Sequence, residues 1–288
     1  MRLLIAPYSF KGSLSVLEAA RAMERGIRKV FSTAECDLPP LADGGEGTVD
    51  ALVNATGGVM HTENVHDPLG RPVRASWGLL GDGQTAVVEM AAASGLPLLA
   101  EHERNPLIAS TFGTGELIAT ALDVLHKREG PKRLIIGIGG SATNDGGAGA
   151  LCALGVRFFN AGGEEIAQGG AALADLAYID TDGLNPLLER TEILVACDVD
   201  NPLTGDRGAS AIFGPQKGAT PEMVAQLDGA LARFAELARA AAKKDMANSP
   251  GAGAAGGLGA GLLFFTPAVL RPGIGIVLEA TRFDARVR

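Results

Sequence analysis

The chain is poor in cysteine, and its three cysteines, at positions 36, 152 and 197, lie far apart. A disulfide framework and a CxxC metal site are therefore poor interpretations, and free thiols in a reducing compartment fit better. No apolar run reaches the roughly 18 residues that a transmembrane helix needs, and the N-terminal run is too short for a signal peptide. The sequence predicts a cytoplasmic protein with no membrane partner.

An excess of positive charge is also missing. The chain carries 25 Lys and Arg against 33 Asp and Glu, which gives a formal net charge of −8 at pH 7. Because Lys and Arg are not clustered, this balance argues against nucleic acid or an anionic membrane as the main partner. A small anionic substrate remains compatible with it, since a local potential can oppose the net charge, and a homo-oligomer is left open.

Glycine, by contrast, is abundant, with 40 glycines among 288 residues and no Gly-X-Y period. This composition favours the loops of a folded protein over disorder or collagen. The length favours two domains over one. Turn signals between residues 65 and 90 separate short alternating runs, which predict an antiparallel meander and a domain boundary near Val65.

The richest glycine loop lies in LIIGIGGSATNDGGAGALCALG, from Leu134 to Gly155. The pattern predicts a buried strand, a loop and a tightly packed helix, whose free N–H groups could bind a phosphate. Gly137, Gly139 and Ala142 also satisfy the relaxed dinucleotide fingerprint, although the acidic residue expected about 20 positions later is not evident. An NAD(P)-dependent oxidoreductase is therefore an alternative function.

Carboxylates occur on other loops next to predicted strands and helices. Asp43 and Glu46 precede a predicted helix, where they suit a hydrated Mg²⁺ or a substrate hydroxyl, although helix capping explains them equally well. Asp198 and Asn201 follow an apolar strand, where Asx turns are the alternative explanation. With the lysines of two loops, this is the set of groups that phosphoryl transfer uses, and no GxxxxGK[ST] P-loop is present.

Seven motifs, in order, resemble the bacterial glycerate kinase family of the glucarate and glyoxylate pathways. They are APYSFKGSL, PLADGGEGT, FGTGELI, GIGGSATNDGG, CDVDNPL, FGPQKGA and GAAGGLGAGL, and the resemblance as a whole runs essentially from Met1 to Phe283. The resemblance implies phosphorylation of D-glycerate by ATP with Mg²⁺. It also implies an α/β fold in which a flavodoxin-like three-layer α/β domain, residues 1–65 plus 255–288, is interrupted by a mixed α/β domain, residues 66–254.

The resemblance also implies the residues of the site, in a cleft between the two domains. Lys11 would contact the transferred phosphate or the substrate carboxylate, and Asp43 or Asp198 would act as the base or contact Mg²⁺. The implied substrate-binding and nucleotide-binding residues are Ser9, Ser13, Gly44, Gly45, Glu46, Thr48, Gly139, Gly140, Ser141, Asn144, Asp145, Asn201 and Lys217. Whether the 2-hydroxyl or the 3-hydroxyl of glycerate is phosphorylated does not follow from the motifs.

Two features depart from the family pattern. Tyr8 stands where the family has aspartate, and a side chain with a pKa of about 10 cannot supply a carboxylate at neutral pH. Family members also continue beyond the Arg-Pro-Gly segment at residues 271–273 into further strands. We therefore expect a chain truncated at its C-terminus, with an unpaired sheet edge that favours aggregation or partner binding. A catalytically impaired, ligand-binding remnant is thus a further hypothesis.

Overall fold

The computed structural model describes residues 1–7, 10, 13–14, 16–39 and 41–287. Within these residues the strands are β1 (Arg2–Leu4), β2 (Glu35–Asp37), β3 (Val59–His66), β4 (Pro72–Leu79), β5 (Thr85–Glu89), β6 (Arg133–Gly137), β7 (Arg157–Asn160), β8 (Leu176–Asp180), β9 (Glu192–Ala196) and β10 (Val269–Arg271). The α-helices are α1 (Val16–Val30), α2 (Thr48–Thr56), α3 (Ala91–Ser94), α4 (Phe112–His126), α5 (Ala148–Ala153), α6 (Ala209–Phe213), α7 (Pro221–Ala242), α8 (Leu258–Phe265), α9 (Gly273–Ala280) and α10 (Phe283–Val287). The fold is mixed α/β.

A six-stranded sheet with the order β10-β9-β6-β5-β4-β3 forms the centre of the molecule. Strands β5, β6, β9 and β10 run parallel to one another, whereas β4 and β3 are antiparallel to their neighbours. The antiparallel meander predicted between residues 65 and 90 is therefore confirmed for β4 and β5, and β3, most of which precedes that segment, adds a further antiparallel strand. The sequence did not indicate that β5 also pairs in parallel with β6, and this pairing aligns the carboxyl ends of four strands.

Helices cover both faces of the parallel part of this sheet, which explains the unbroken apolar runs of β5, β6 and β9. In β6, Leu134 and Ile136 belong to the hydrophobic cluster formed with α4 and α8. Ile135, between them, belongs to the cluster formed with α2 and α9 on the opposite face. A further cluster around Phe234 joins α7 and α8 to the β7–β8 pair. The parallel part of the sheet thus packs between two helical layers, and the loops lie at its strand ends.

The N-terminal segment carries a separate parallel pair, β1 with β2. In this N-terminal segment, the apolar side chains of Leu4, Met23 and Phe31 are exposed. Strands β3 and β10, most of whose residues the predicted boundaries assign to the flavodoxin-like domain, belong to the six-stranded sheet, so the division into two domains stays a prediction. No helix among the described residues is both long enough and apolar enough to span a membrane.

Candidate active site

A cleft of about 1010 Å³ lies at the carboxyl ends of the parallel strands. Its walls come from the start of α1, the loop before α2, and the loops that follow β6 and β9. At the ends of these strands, Glu89 of β5, Gly137 of β6, Ala196 of β9 and Arg271 of β10 lie opposite one another. Open α/β sheets bind their ligands at this end of the strands, so the cleft is the candidate active site.

The loop from Asp43 to Gly47 crosses the ends of β6 and β9 at very short range. A Cβ placed on Gly44 would lie 2.4 Å from the Cβ of Ala196, and one placed on Gly137 would lie 2.4 Å from the carbonyl oxygen of Gly44. The N–H of Gly139 donates to that same oxygen at 3.4 Å. Only glycine permits such close packing of backbone. Gly137 and Gly139 therefore need no bound dinucleotide to explain them, and the oxidoreductase alternative loses its basis.

Internal hydrogen bonds fix the shape of this acidic loop. The buried Thr48 hydroxyl accepts the N–H of Gly44 at 3.0 Å and donates to the carbonyl oxygen of Gly45 at 2.8 Å. Asp43 Oδ1 accepts the N–H of Gly45 at 3.0 Å. Neither Asp43 nor Glu46 caps α2, because Glu89 at the end of β5 accepts the N–H of Gly47 and of Val49 instead.

Asp43 and Asp198, from separate loops, are brought together at Gly273, the first residue of α9. Asp198 Oδ1 accepts the N–H of Gly273 at 2.9 Å. A Cβ placed on Gly273 would lie only 1.6 Å from the carbonyl oxygen of Asp43. Both acidic residues line the cleft. Two carboxylates predicted from distant motifs therefore border a single ligand-sized space.

This donor set fits a Mg²⁺ ion that arrives with a nucleotide. Mg²⁺ is commonly held by one or two carboxylates together with substrate phosphates and water, rather than by an all-protein cage. Asp43 and Asp198 supply two acidic residues to the lining of this cleft. Among the residues that the structure describes, no group of three or more His, Cys, Asp or Glu could hold a metal ion.

The loop after β6 divides into a part that faces the cleft and a part that lies behind its wall. Gly139, Gly140 and Ser141 line the cleft. The side chains of Asn144, Asp145 and Lys217, also predicted to bind ligand, are almost wholly buried instead, and these residues are absent from the cleft lining.

Lys217 is tied to the protein interior rather than to the open cleft. Its Nζ donates to the carbonyl oxygen of Thr143 at 2.6 Å, and Asn144 Nδ2 similarly donates to Ser210 Oγ at 2.9 Å. Burial lowers the pKa of Lys217 to about 7, against the opposing influence of the Asp145 charge. In this arrangement Lys217 supports the glycine loop from behind.

Asp145 fixes the start of two helices at once. Its Oδ2 accepts the N–H and the hydroxyl of Thr111, both at 2.8 Å, and the N–H of Gly149 at 3.2 Å, while its Oδ1 accepts the N–H of Gly147 at 3.1 Å. Burial nevertheless raises the pKa of Asp145 above its usual range. The N–H groups expected to bind a phosphate at the start of α5 are thus occupied by a carboxylate of the protein itself.

Replacing Asp145 with alanine should lower the free energy of unfolding by about 3–5 kcal/mol, because buried donors lose their acceptor without gaining water. Chemical denaturation measures this loss. The matched control is Asp82→Ala, since Asp82 accepts hydrogen bonds from Gln84 and Thr85 at an exposed turn. Because Asp82 itself is exposed, water can replace part of these bonds although Thr85 is buried, so we expect a loss of only about 1 kcal/mol. Equal losses in the two variants would contradict the structural role of Asp145.

Of the remaining predicted residues, some line the cleft and others do not. Ser13, in the segment before α1, lines the cleft, whereas Asn201 does not and donates from Nδ2 to the carbonyl oxygen of Arg207 at 2.8 Å. Ser9 and Lys11, like Tyr8, lie outside the described residues. The sequence analysis overlooked Glu89, which lines the cleft. The available signal was a single carboxylate at the end of the apolar run TAVV.

Comparison with known proteins identifies the family. The profile of the glycerate kinase family matches residues 3–288. The chain belongs to the glycerate kinase family. The resemblance inferred from the seven motifs is thereby confirmed, and membership of this family implies ATP-dependent phosphotransfer to a small-molecule substrate.

Individual glycerate kinases match over the whole chain. The glycerate kinase of Bacillus subtilis (strain 168) is 56% identical over 288 residues, which are 100% of this chain and 74% of that protein. The glycerate 2-kinase of Escherichia coli (strain K12) is 51% identical over 287 residues, again 100% of this chain and 74% of that protein. A crystal structure assigned to glycerate kinase 2 of Salmonella typhimurium LT2 superposes with a TM-score of 0.92 at 53% identity, covering 99% of this chain and 75% of that one.

Proposed function

We propose that this chain transfers the γ-phosphoryl group of ATP to D-glycerate in the cleft at the strand ends. One observation carries the proposal: Asp43, through its backbone, and Asp198, through its carboxylate, both approach Gly273 and line the cleft that Gly139, Gly140 and Ser141 also line. Phosphoryl transfer depends mainly on positioning and on charge neutralisation, and carboxylates beside a backbone loop can provide both. The names of the similar proteins support glycerate as the acceptor.

The carboxylates of Asp43 and Asp198 have two roles in this proposal, proton acceptance and contact with Mg²⁺. One accepts the proton of the glycerate hydroxyl as the hydroxyl oxygen bonds to the γ-phosphorus. At the same time the bond from the γ-phosphorus to the β–γ bridging oxygen breaks, and ADP leaves with that electron pair. Lys11 would contact the transferred phosphate or the glycerate carboxylate, in accordance with the family resemblance.

Asp43 and Asp198 are also the residues that would hold Mg²⁺ with the nucleotide. Bound there, Mg²⁺ would neutralise charge on the β- and γ-phosphates. The N–H of Gly273 donates to Asp198 Oδ1 and so helps to orient this carboxylate. In the acidic loop, the N–H of Gly45 donates to Asp43 Oδ1 and helps to orient that carboxylate.

Our proposal for which glycerate hydroxyl is phosphorylated rests on the name of a relative and not on the geometry of the cleft. The Escherichia coli relative is called glycerate 2-kinase. We therefore propose that the product is 2-phosphoglycerate. Enolase consumes 2-phosphoglycerate directly but not 3-phosphoglycerate, so the two products can be separated by a coupled assay.

With ATP, Mg²⁺ and D-glycerate, we expect the purified chain to release ADP and an enolase-reactive product in equal amounts. L-glycerate serves as the matched control and should give only the background hydrolysis of ATP. Failure to release ADP above that background with D-glycerate would refute catalysis by this chain. Calorimetric binding of D-glycerate or ATP without turnover would then identify the ligand-binding remnant considered from the sequence.

A further inference from the structure

Glu89 connects the central sheet to the acidic loop, and neither the motifs nor the proposed chemistry uses it. It is the last residue of β5, pairs with Gly137 in the register of the sheet, and is 8% exposed. Its Oε1 accepts the N–H of Val49 at 2.5 Å, and its Oε2 accepts the N–H of Gly47 at 3.3 Å. Each oxygen therefore binds one of the N–H groups left unpaired at the start of α2.

These bonds hold the end of the loop that carries Asp43. Inside the loop, Thr48 binds Gly44 and Gly45, and on the sheet side Gly44 packs against Ala196. The hydrogen bonds of Thr48 join only uncharged groups, and the packing of Gly44 against Ala196 depends only on shape. Glu89 adds a link whose strength depends on charge, because hydrogen bonds to an ionised acceptor are roughly twice as strong as neutral ones.

The surroundings of Glu89 favour the protonated carboxyl at slightly acidic pH. Burial is the main cause, and the carboxylates of Asp50 on α2 and Glu46 in the acidic loop act in the same direction. The hydrogen bonds from Val49 and Gly47 oppose them, and the net result is a pKa of Glu89 raised to about 7. The positive end of the α2 dipole favours the ionised form, as the two hydrogen bonds do.

We propose that Glu89 is a positioning residue whose ionised carboxylate fixes the start of α2, and thereby Asp43, so that protonation of Glu89 slows phosphoryl transfer. The inference rests on the proposed function. A protonated carboxyl turns one oxygen into a donor, so one of the two N–H groups loses a strong acceptor. The acidic loop is then held less firmly, and small misplacements of catalytic groups reduce rates steeply.

The test is the pH profile of kcat for D-glycerate, from about pH 5.5 to about pH 9. The wild-type kcat should rise with a midpoint near 7, in line with the pKa of Glu89. Glu89→Gln cannot ionise and should show a kcat about 10-fold to 100-fold lower, with that rise abolished. Asp50→Asn should move the midpoint to lower pH, because it removes a neighbouring negative charge. A Glu89→Gln variant that keeps the wild-type rise would overturn the proposal.

The matched control is Glu103→Gln. Glu103 also accepts a backbone N–H, from Ala100, but it does not line the cleft. We expect this variant to keep both the wild-type kcat and the wild-type midpoint. Loss of the rise in Glu103→Gln as well would show a general effect of losing a carboxylate, and it would equally overturn the proposal.

A second measurement does not depend on catalysis or on the stability of a variant. In wild-type protein, the amide resonance of Val49 should titrate with a midpoint near 7, since its N–H donates to Glu89. A Val49 resonance unchanged across neutral pH would refute the charge-dependent link, whatever the kinetics show. If Val49 titrates but D-glycerate is not turned over at any pH, the proposed function fails while the link between Glu89 and α2 stands.

Discussion

Replacing Asp198 with asparagine should lower kcat for D-glycerate by about 10²–10⁴-fold, the range expected when a proton acceptor is removed. Asparagine is nearly the same size, and its carbonyl oxygen can still accept the N–H of Gly273. The substitution therefore removes the charge while leaving this contact of α9 in place. Loss of a proton acceptor and loss of a Mg²⁺ contact both predict the same large decrease, which steady-state kinetics will measure.

The matched control for Asp198 lies two residues further along the same loop. Asp200 is exposed, pairs with Arg207 at 3.0 Å, and does not line the cleft. Asp200→Asn should leave kcat and KM close to those of the wild type, because an exposed ion pair contributes at most about 1 kcal/mol to stability. If Asp198→Asn behaved like Asp200→Asn, Asp198 would have no part in the reaction.

The second large effect is expected from a single added methyl group, in Gly273→Ala. The new Cβ would lie 1.6 Å from the backbone oxygen of Asp43, so either α9 or the acidic loop must move by more than an ångström. Because a misplacement of about 1 Å can reduce a rate 10²-fold, we expect at least that loss in kcat/KM. Overpacking should also lower the free energy of unfolding by about 1–3 kcal/mol.

Gly275→Ala is the control within the same helix. A Cβ at Gly275 would meet nothing within 4 Å, so the substitution only replaces a poor helix former by a good one. We expect wild-type kinetics and a gain in stability of up to about 1 kcal/mol. Thermal unfolding and steady-state kinetics of the two variants should be measured together. Wild-type kcat/KM in Gly273→Ala would show that the spacing of Asp43 and Asp198 is not critical.

Much of the cleft could be predicted from the sequence, because its loops have local signatures. Asp198 follows an apolar strand, Asp43 precedes a helix within a run of glycines, and Gly139 follows another strand. Ligand-binding side chains in α/β proteins concentrate at such junctions. The structure places all three residues along one cleft, where their individual roles stay predictions.

Other features could not be predicted because they depend on partners distant in the sequence. The position of Glu89 follows from the pairing of β5 with β6, in which Thr85 lies opposite Arg133. Asp145 has the sequence context of an exposed anion-binding loop, yet Thr111, 34 positions earlier, provides its partners in the interior. The burial of Lys217 likewise depends on its contact with Thr143, 74 positions away. The sequence identifies these charged residues but not the distant residues that surround them in the fold.

The close packing of Gly44, Gly137 and Gly139 has a consequence for how the substrate of this protein could be changed. Where backbone lies against backbone, no side chain can be added, so these positions offer no variation for selection or for protein engineering. New acceptor specificity must therefore arise from the surrounding side chains, such as Ser141, Phe213 and Gln216, which line the same cleft without forming that contact. Directed libraries should vary those positions and leave the glycines unchanged.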